Sequence, residues 1–343
     1  MKHIKTWLEP LLAKQDLTTA QMTDMVTALM SGELTDAQAA GLLVALRVKG
    51  ESVAEITAAA QVMRSLATPV AMHQPEMLID TCGTGGDGHH TFNVSTTVAF
   101  VVAAAGGRVA KHGGRSVTSS SGSADLLELA GVNLNLTPQQ VADSVDALGV
   151  GFMFAPAHHG AMKHVVHVRK ELGIRTMFNL LGPITNPAGA QRQVLGVFAE
   201  QWLEPMAQVL KSLGSRKVWV VHANDGLDEI SIASDTQVVQ LDEQGEITRF
   251  SVSPESVGYT KSDLHSIRAT TKEESLVYVQ RVLANEAGPW RDIVCLNAGA
   301  ALLVGGLVTD FVSGVRLAEQ VIASGAASQK FDDVMRVTQS LGA

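Results

Sequence analysis

A short apolar run at residues 78–81 passes directly into Gly83-Thr84-Gly85-Gly86-Asp87-Gly88, and a helical pattern follows over 95–105. Strand, glycine loop and helix in that order form the unit from which parallel α/β sheets are built. Four glycines in six residues let backbone N–H groups adopt positive φ and approach an anion closely. No Gly-Lys-Ser/Thr ends the loop, so it is not a Walker A motif. It also lacks the spacing and the acidic partner of a dinucleotide loop. A tight structural turn is the bland alternative. Against it stands Asn93-Val94-Ser95-Thr96, which places small polar groups at a helix N-terminus, where free N–H groups and the helix dipole favour phosphate.

A second loop sits in the same position, after a strand expected at 108–112. It reads Lys111-His112-Gly113-Gly114-Arg115-Ser116-Val117-Thr118-Ser119-Ser120-Ser121-Gly122-Ser123. Two cations and six hydroxyls within these 13 residues suit a phosphate cradle, with a solvated flexible loop as the alternative. Two such loops at neighbouring strand ends point to a ligand with several phosphates. A third element, Asp228-Glu229, follows a strand expected at 217–223. Alone it reads as a solvated acidic turn; beside a diphosphate cradle it becomes a site for Mg²⁺, which takes few carboxylates and completes its shell with waters and phosphate oxygens. The basic stretch from His158 to Arg175 is the fourth. A helix over 159–171 would put His164 and His167 on one face. Zinc lacks a completing ligand there, solvated or capping histidines are the bland reading, and a cationic face suited to a carboxylate is the functional one.

The rest of the chain organises around these loops. Residues 1–66 read as helices, with Met22, Met25, Val26, Leu29 and Met30 on one apolar face and Ala39, Leu42, Leu43 and Leu46 on another. Capping boxes open these helices at Thr18/Gln21, Thr35/Gln38 and Ser52/Glu55. Pro69 and Pro75 mark a boundary, after which strands expected at 151–154, 194–198 and 237–241 alternate with helices at 123–130, 138–148, 203–213 and 273–284 and through the C-terminal third. The run 237–250, split near Glu243–Gly245, reads as an antiparallel excursion.

Composition narrows the function. A hydrophobic fraction of 46% with 17% charged residues excludes a disordered chain. A formal charge of −8, from 26 basic and 34 acidic residues, argues against a nucleic-acid binder. Cys82 and Cys295 form no CxxC pair, which fits a reducing cytoplasm. The N-terminal residues lack a signal-peptide core, and no apolar run approaches the roughly 20 residues of a membrane span.

These residues, in this order, resemble the anthranilate phosphoribosyltransferase family of tryptophan biosynthesis over nearly the whole chain. The likeness runs from 41–50 through the GTGGDG loop, Asn93–Thr96, KHGGRSV and 154–159 to 175–183. It implies an α/β enzyme: a small helical domain at 1–70, joined by helices from about 160–185, and an α/β domain at 76–343 of the nucleoside phosphorylase/phosphoribosyltransferase type with a mostly parallel sheet. It implies transfer of the ribosyl phosphate of phosphoribosyl diphosphate (PRPP) to the amine of anthranilate, a homodimer through the helical domain, and Mg²⁺, two ions with PRPP. Carried over by position, Gly83, Gly86, Asp87, Thr91, Asn93, Val94, Ser95, Thr96, Lys111, His112, Gly113, Gly114, Arg115, Ser116, Val117, Thr118, Ser119 and Ser123 would bind PRPP. Ser95, Asp228 and Glu229 would place the metal; Gly83, Gly114 and Arg169 would hold anthranilate, with Arg169 on its carboxylate. Lys111 would act electrostatically, and no residue is assigned as acid or base. Two positions depart from the family pattern: Gly114 stands where Asn is expected, and His167 where Pro or Gly is expected. A pyrimidine nucleoside phosphorylase of the same fold is the competing reading, and Asp228-Glu229 weighs against it because phosphorolysis needs no metal on a diphosphate.

Overall fold

The computed structural model describes residues 4–115 and 121–342. Four helices come first: α1 (Ile4–Leu12), α2 (Thr19–Met30), α3 (Asp36–Lys49) and α4 (Val53–Leu66). All three expected capping boxes form. Thr18, Thr35 and Ser52 accept from the N–H groups of Gln21, Gln38 and Glu55, whose side chains accept from the cap backbone in return. The methionine-bearing face is core, with Met22, Met25, Val26 and Leu29 clustered with Leu42, Leu43 and Leu46. Glu55 does more than cap. Wholly buried, its carboxylate accepts from Ser52 N–H at 2.8 Å and Leu17 N–H at 2.9 Å, and pairs with Lys49 at 2.7 Å.

The rest of the chain builds a seven-stranded sheet: β1 (Leu78–Gly83), β2 (Arg108–Gly113), β3 (Val150–Phe154), β4 (Arg192–Gly196), β5 (Lys217–Ala223), β6 (Thr236–Leu241) and β7 (Ile247–Val252). Their order is β3-β2-β1-β4-β5-β6-β7; the first five are parallel, and β6 and β7 form the expected antiparallel excursion. Helix α5 (Val94–Ala104) crosses from β1 to β2, and α6 (Ser123–Leu129) and α7 (Pro138–Leu148) lead to β3. Between β3 and β4 lie α8 (Ala155–His158), α9 (Val166–Leu172) and α10 (Phe178–Leu181). Helix α11 (Leu203–Ser212) crosses to β5, and α12 (Lys272–Leu283), α13 (Pro289–Gly305), α14 (Phe311–Ala323) and α15 (Ala326–Leu341) complete the chain.

Strand alternation sorts side chains into two cores. On β5, Trp219 and Val221 join one core with α5, α13 and α15, while Val218 and Val220 join another with α11 and the first four helices. The small helical domain therefore shares its core with one face of the sheet. Arg64 of α4 reinforces the contact, donating to the carbonyls of Ile184 at 2.9 Å and Leu213 at 3.2 Å. No helix among the described residues is long and apolar enough to cross a membrane.

One expected element is broken. The helix anticipated over 159–171 divides into a 3₁₀ turn, Gly160–His164, and α9, with Val165 between them at φ −123°, ψ −13°. Packing overrides helical pattern here. The His164 ring lies against Gly32, where a Cβ would come within 2.6 Å of its Nδ1, and His167 Nε2 is 2.8 Å from Asp36 Oδ1 in the first turn of α3. Both histidines thus face the helical domain, and neither belongs to a metal cluster among the described residues.

The Glu55 arrangement sets a stability prediction. Glu55→Ala leaves the Lys49 ammonium without its buried partner and two N–H groups unsatisfied, and should lower the unfolding free energy by about 3 kcal/mol. Asp16→Ala removes only the exposed partner of Lys49 and should cost about 1 kcal/mol or less. Urea denaturation of both variants measures the difference, and equal losses would refute it.

Candidate active site

The chain steps from β1 to β2 to β3 in one direction, then returns to place β4 on the other side of β1. At such a switch point the loops leaving the strand ends part and open a crevice. The GTGGDG loop leaves β1 there, with Gly85 and Gly86 at φ +65° and +78°, a successive pair that glycine adopts without steric penalty. Asp228 holds the loop from the far side: its Oδ2 accepts the Gly85 N–H at 2.7 Å. This approach requires bare backbone. A Cβ on Gly83 would lie 2.3 Å from Asp228 Oδ2, and one on Gly196 would lie 1.6 Å from the Asp228 carbonyl oxygen. Thr84 closes the junction, its N–H donating to Gly196 O at 2.9 Å and its Oγ1 accepting from Phe198 N–H at 3.0 Å.

Three carboxylates meet at this point. Asp87 Oδ1 accepts from His89 N–H at 3.1 Å, and its charge acts on both Asp228 and Glu229. Burial first, and Asp87 second, push Asp228 up to about 7. Burial and then Asp228 push Glu229 up to about 8. Lys111 is the nearby cation. It is itself buried; burial lowers its pKa, and the charges of Asp80, Cys82 and Glu229 oppose that shift. Its ammonium donates to the Thr81 carbonyl and, at 3.2 Å, to Ser95 Oγ. Asp228 and Glu229, both buried and hard to ionise, make a site suited to a cation. Among the described residues no three His, Cys, Asp or Glu side chains enclose a metal on their own. The donor set therefore fits Mg²⁺ held by one or two carboxylates and completed by oxygens of a bound phosphate.

Two polar side chains that the resemblance gives to PRPP, one on each loop, make contacts within the protein. Arg115 does not offer its guanidinium to a cradle: it forks onto Glu128 at 2.7 and 2.9 Å and touches Asp125 at 3.2 Å. Helix α6 brings both carboxylates within its reach, which the sequence reading did not weigh. Asn93 is also spoken for. Its Nδ2 donates to Ser121 O at 3.2 Å, and its Oδ1 accepts from Ser121 Oγ at 3.0 Å and Ser275 Oγ at 2.7 Å. It ties the start of α5 to the end of the second loop and to α12.

The remaining residues take these positions. Gly113 lies against Ser123, whose Oγ would be 3.0 Å from a Cβ there; at Gly114, among the described residues, a Cβ would have Ala155 Cβ near, at 3.8 Å. Val94 and Thr96 are buried in the first turn of α5, and Thr91 is bridged to Arg268. Ser116, Val117, Thr118 and Ser119 lie outside the described residues. Arg169 projects from α9 with its guanidinium 5.3 Å over the Phe178 ring, and among the described residues no carboxylate pairs with it. Burial lowers its pKa, which favours a carboxylate partner. His112 and His159 face each other at 4.9 Å; burial holds them neutral, at about 3 and about 4, and neither Nε2 has a hydrogen-bond partner among the described residues. Sequence reading missed Gly196, Ser275 and His159. Gly196 had a signal, since a lone glycine in an apolar strand marks a close backbone approach. Ser275 had none.

Residues 75–328 match the glycosyl transferase family a/b domain, and residues 5–67 match the helical bundle domain of the same family. The anthranilate phosphoribosyltransferase of Hydrogenovibrio crunogenus is 58% identical over 98% of this chain and 99% of its own length. That of Thioalkalivibrio sulfidiphilus is 56% identical over 95% and 96%. Among solved structures, anthranilate phosphoribosyltransferase from Thermus thermophilus superposes with a TM-score of 0.91 at 42% identity, covering 97% of this chain and 99% of that one. The Saccharomyces cerevisiae enzyme in complex with PRPP and Mg superposes at 0.90 with 26% identity, covering 98% of each.

The charge crowding has a measurable sign. A carboxylate with a raised folded pKa stabilises the fold fully below its ordinary value near 4 and loses that contribution as pH rises through the folded value. Neutral buried His112 and His159 act oppositely, but only below about 6.5, where an unfolded histidine gains its proton. Between pH 6.5 and 8.5 the carboxylates dominate this balance. Without divalent cations, the melting temperature should fall across that window, and Asp228→Asn/Glu229→Gln should flatten the fall. An equal slope in both proteins would contradict the reading.

Proposed function

The chain belongs to the anthranilate phosphoribosyltransferase family, and from that membership we propose how its own residues move the 5-phosphoribosyl group of PRPP onto the amine of anthranilate, giving N-(5-phosphoribosyl)anthranilate and diphosphate. The observation that carries the assignment of roles is the meeting of the GTGGDG loop with Asp87, Asp228 and Glu229 at the β1–β4 crevice. Loop N–H groups and the α5 N-terminus would hold the diphosphate and ribosyl phosphate. Asp228, Glu229 and Ser95 would hold Mg²⁺, two ions in this reading, and the metal when bound would neutralise the charge developing on the departing diphosphate. Lys111 contributes from beneath, through Ser95 Oγ and by offsetting Glu229, rather than by direct exposure to the crevice.

Departure of diphosphate breaks the bond at the anomeric carbon, the amine lone pair forms the new C–N bond, and the nitrogen then releases its extra proton to water. An aromatic amine is already neutral at pH 7, so its attack requires no strong base. Positioning and electrostatics supply the catalysis. Arg169 would fix the acceptor through its carboxylate, with Gly83 and the His112–Gly114 backbone lining that side. We further read the chain as a helical domain at 1–70 with the 160–185 segment and a catalytic domain at 76–343. Leu12 and Val48, exposed on α1 and α3, support a homodimer through the helical domain. Two free thiols, Cys82 and Cys295, suit a cytoplasmic enzyme.

Loss of anthranilate fluorescence on mixing with PRPP tests the assignment. The decay should require Mg²⁺ and vanish in Asp228→Ala; persistence in either control would remove the metal role. Arg169→Ala should raise the KM for anthranilate far more than that for PRPP, and the reverse pattern would reject its role. Gly114 yields a separate expectation: among the described residues an added Cβ there meets nothing nearer than Ala155 Cβ at 3.8 Å, and Gly114→Asn would restore an amide at this position. One added neutral hydrogen bond, about 0.5–1.5 kcal/mol, should lower the KM for anthranilate by roughly two- to tenfold. An unchanged KM would show that the position does not meet the acceptor.

A further inference from the structure

Asp228 pins the GTGGDG loop from one side, and a second side chain pins it from the other. Arg175 lies between α9 and α10 and is exposed, and its Nη1 donates to the Gly86 carbonyl at 3.1 Å. Its guanidinium carbon also stacks 4.5 Å over the ring of Phe198, just past the end of β4. The Phe198 N–H is in turn held by Thr84 Oγ1 at 3.0 Å. One guanidinium thus joins the segment that carries Arg169 to both loops at the β1–β4 crevice. Among the described residues no carboxylate competes for it.

This contact determines which way the loop presents its donors. Gly85 and Gly86 both have positive φ, and two adjacent glycines leave the backbone many alternatives. The Gly85 N–H is committed to Asp228 Oδ2. In the Gly86–Asp87 peptide, two peptides on and trans, the Gly86 carbonyl and the Asp87 N–H point in opposite directions. Holding the carbonyl on Arg175 turns the Asp87 N–H away from Arg175 and fixes that peptide. Without the hold, the Gly86–Asp87 peptide is free to rotate, and the anion would have to order it on binding.

We propose that Arg175 is a positioning residue for PRPP, setting the orientation of the Gly86–Asp87 peptide without touching the substrate. The inference rests on the reading of the GTGGDG loop as the diphosphate cradle. Calorimetric titration of wild type, Arg175→Ala and Arg175→Lys with PRPP in MgCl₂ tests it, together with steady-state kinetics and melting temperatures. Removing a charge-assisted hydrogen bond should weaken PRPP binding and raise its KM by about tenfold in Arg175→Ala. The KM for anthranilate should stay within about twofold, and Arg175→Lys, which keeps a cationic donor, should recover part of the loss. A purely structural residue would lower the melting temperature and spare PRPP affinity, and that outcome overturns the inference. So does a loss confined to anthranilate. Failure of the wild type to bind PRPP would overturn the cradle reading itself, and the inference with it.

Discussion

The loop after β5 must lie directly on the backbones of β1 and β4, and the site depends on that approach. At Gly196 a single added carbon would sit inside the Asp228 carbonyl, and at Gly83 it would strike the Asp228 carboxylate. With both positions bare, Asp228 reaches the Gly85 N–H and the acidic pair settles at the mouth of the crevice. The parallel register of β1 with β4 aligns Gly83 with Gly196, so the two gaps open side by side. Backbone contact thus sets the position of the functional carboxylates before any ligand arrives. Their geometry is inherited from the sheet rather than from a flexible loop.

That placement is electrostatically costly. Asp87, Asp228 and Glu229 lie close together, and the pKa values of the latter two are raised first by burial and then by a neighbouring carboxylate. Lys111 does not cancel the crowd, because it is divided between Glu229 above and Asp80 below. Asp80 is anchored by Asn186 Nδ2 at 2.8 Å, whose amide also donates to Ala110 O at 2.8 Å, so the lysine's lower partner is fixed to both β1 and β2. A fold optimised for stability alone would place a second cation here. Leaving the deficit makes the region receptive to a divalent ion and the phosphates it accompanies.

Local rules reached far into this structure. Capping boxes, strand positions and the turn of the glycine loop were legible because each depends on residues within a few positions of one another, as at Thr18 with Gln21 or along Gly83–Gly88. Contacts that the local sequence does not show have the opposite property. The helix over 159–171 broke because His164 and His167 found partners on the α2–α3 turn, more than a hundred residues earlier. Arg115 turned to Glu128 because α6 brings that carboxylate round, and Asn93 was claimed by Ser275 from α12. A polar residue suited to phosphate is equally suited to a carboxylate or a hydroxyl. Only the fold decides which one it meets.

Those distant contacts also explain why a helical domain belongs to this enzyme at all. In the proposed reading, PRPP is held by loops of the sheet, whereas the acceptor's carboxylate is held by Arg169 on α9. Helix α9 takes its orientation from the helical domain through His167 and Asp36, and the same connecting segment returns to the glycine loop through Arg175. The shared core of the first four helices, α11 and one face of the sheet keeps these two anchors in register. Bringing an amine to an anomeric carbon requires near-attack positioning, in which a displacement of about 1 Å can cost about a hundredfold in rate. In that reading the packing of the helical domain on the sheet is part of the catalytic geometry, although none of its core residues needs to touch either substrate.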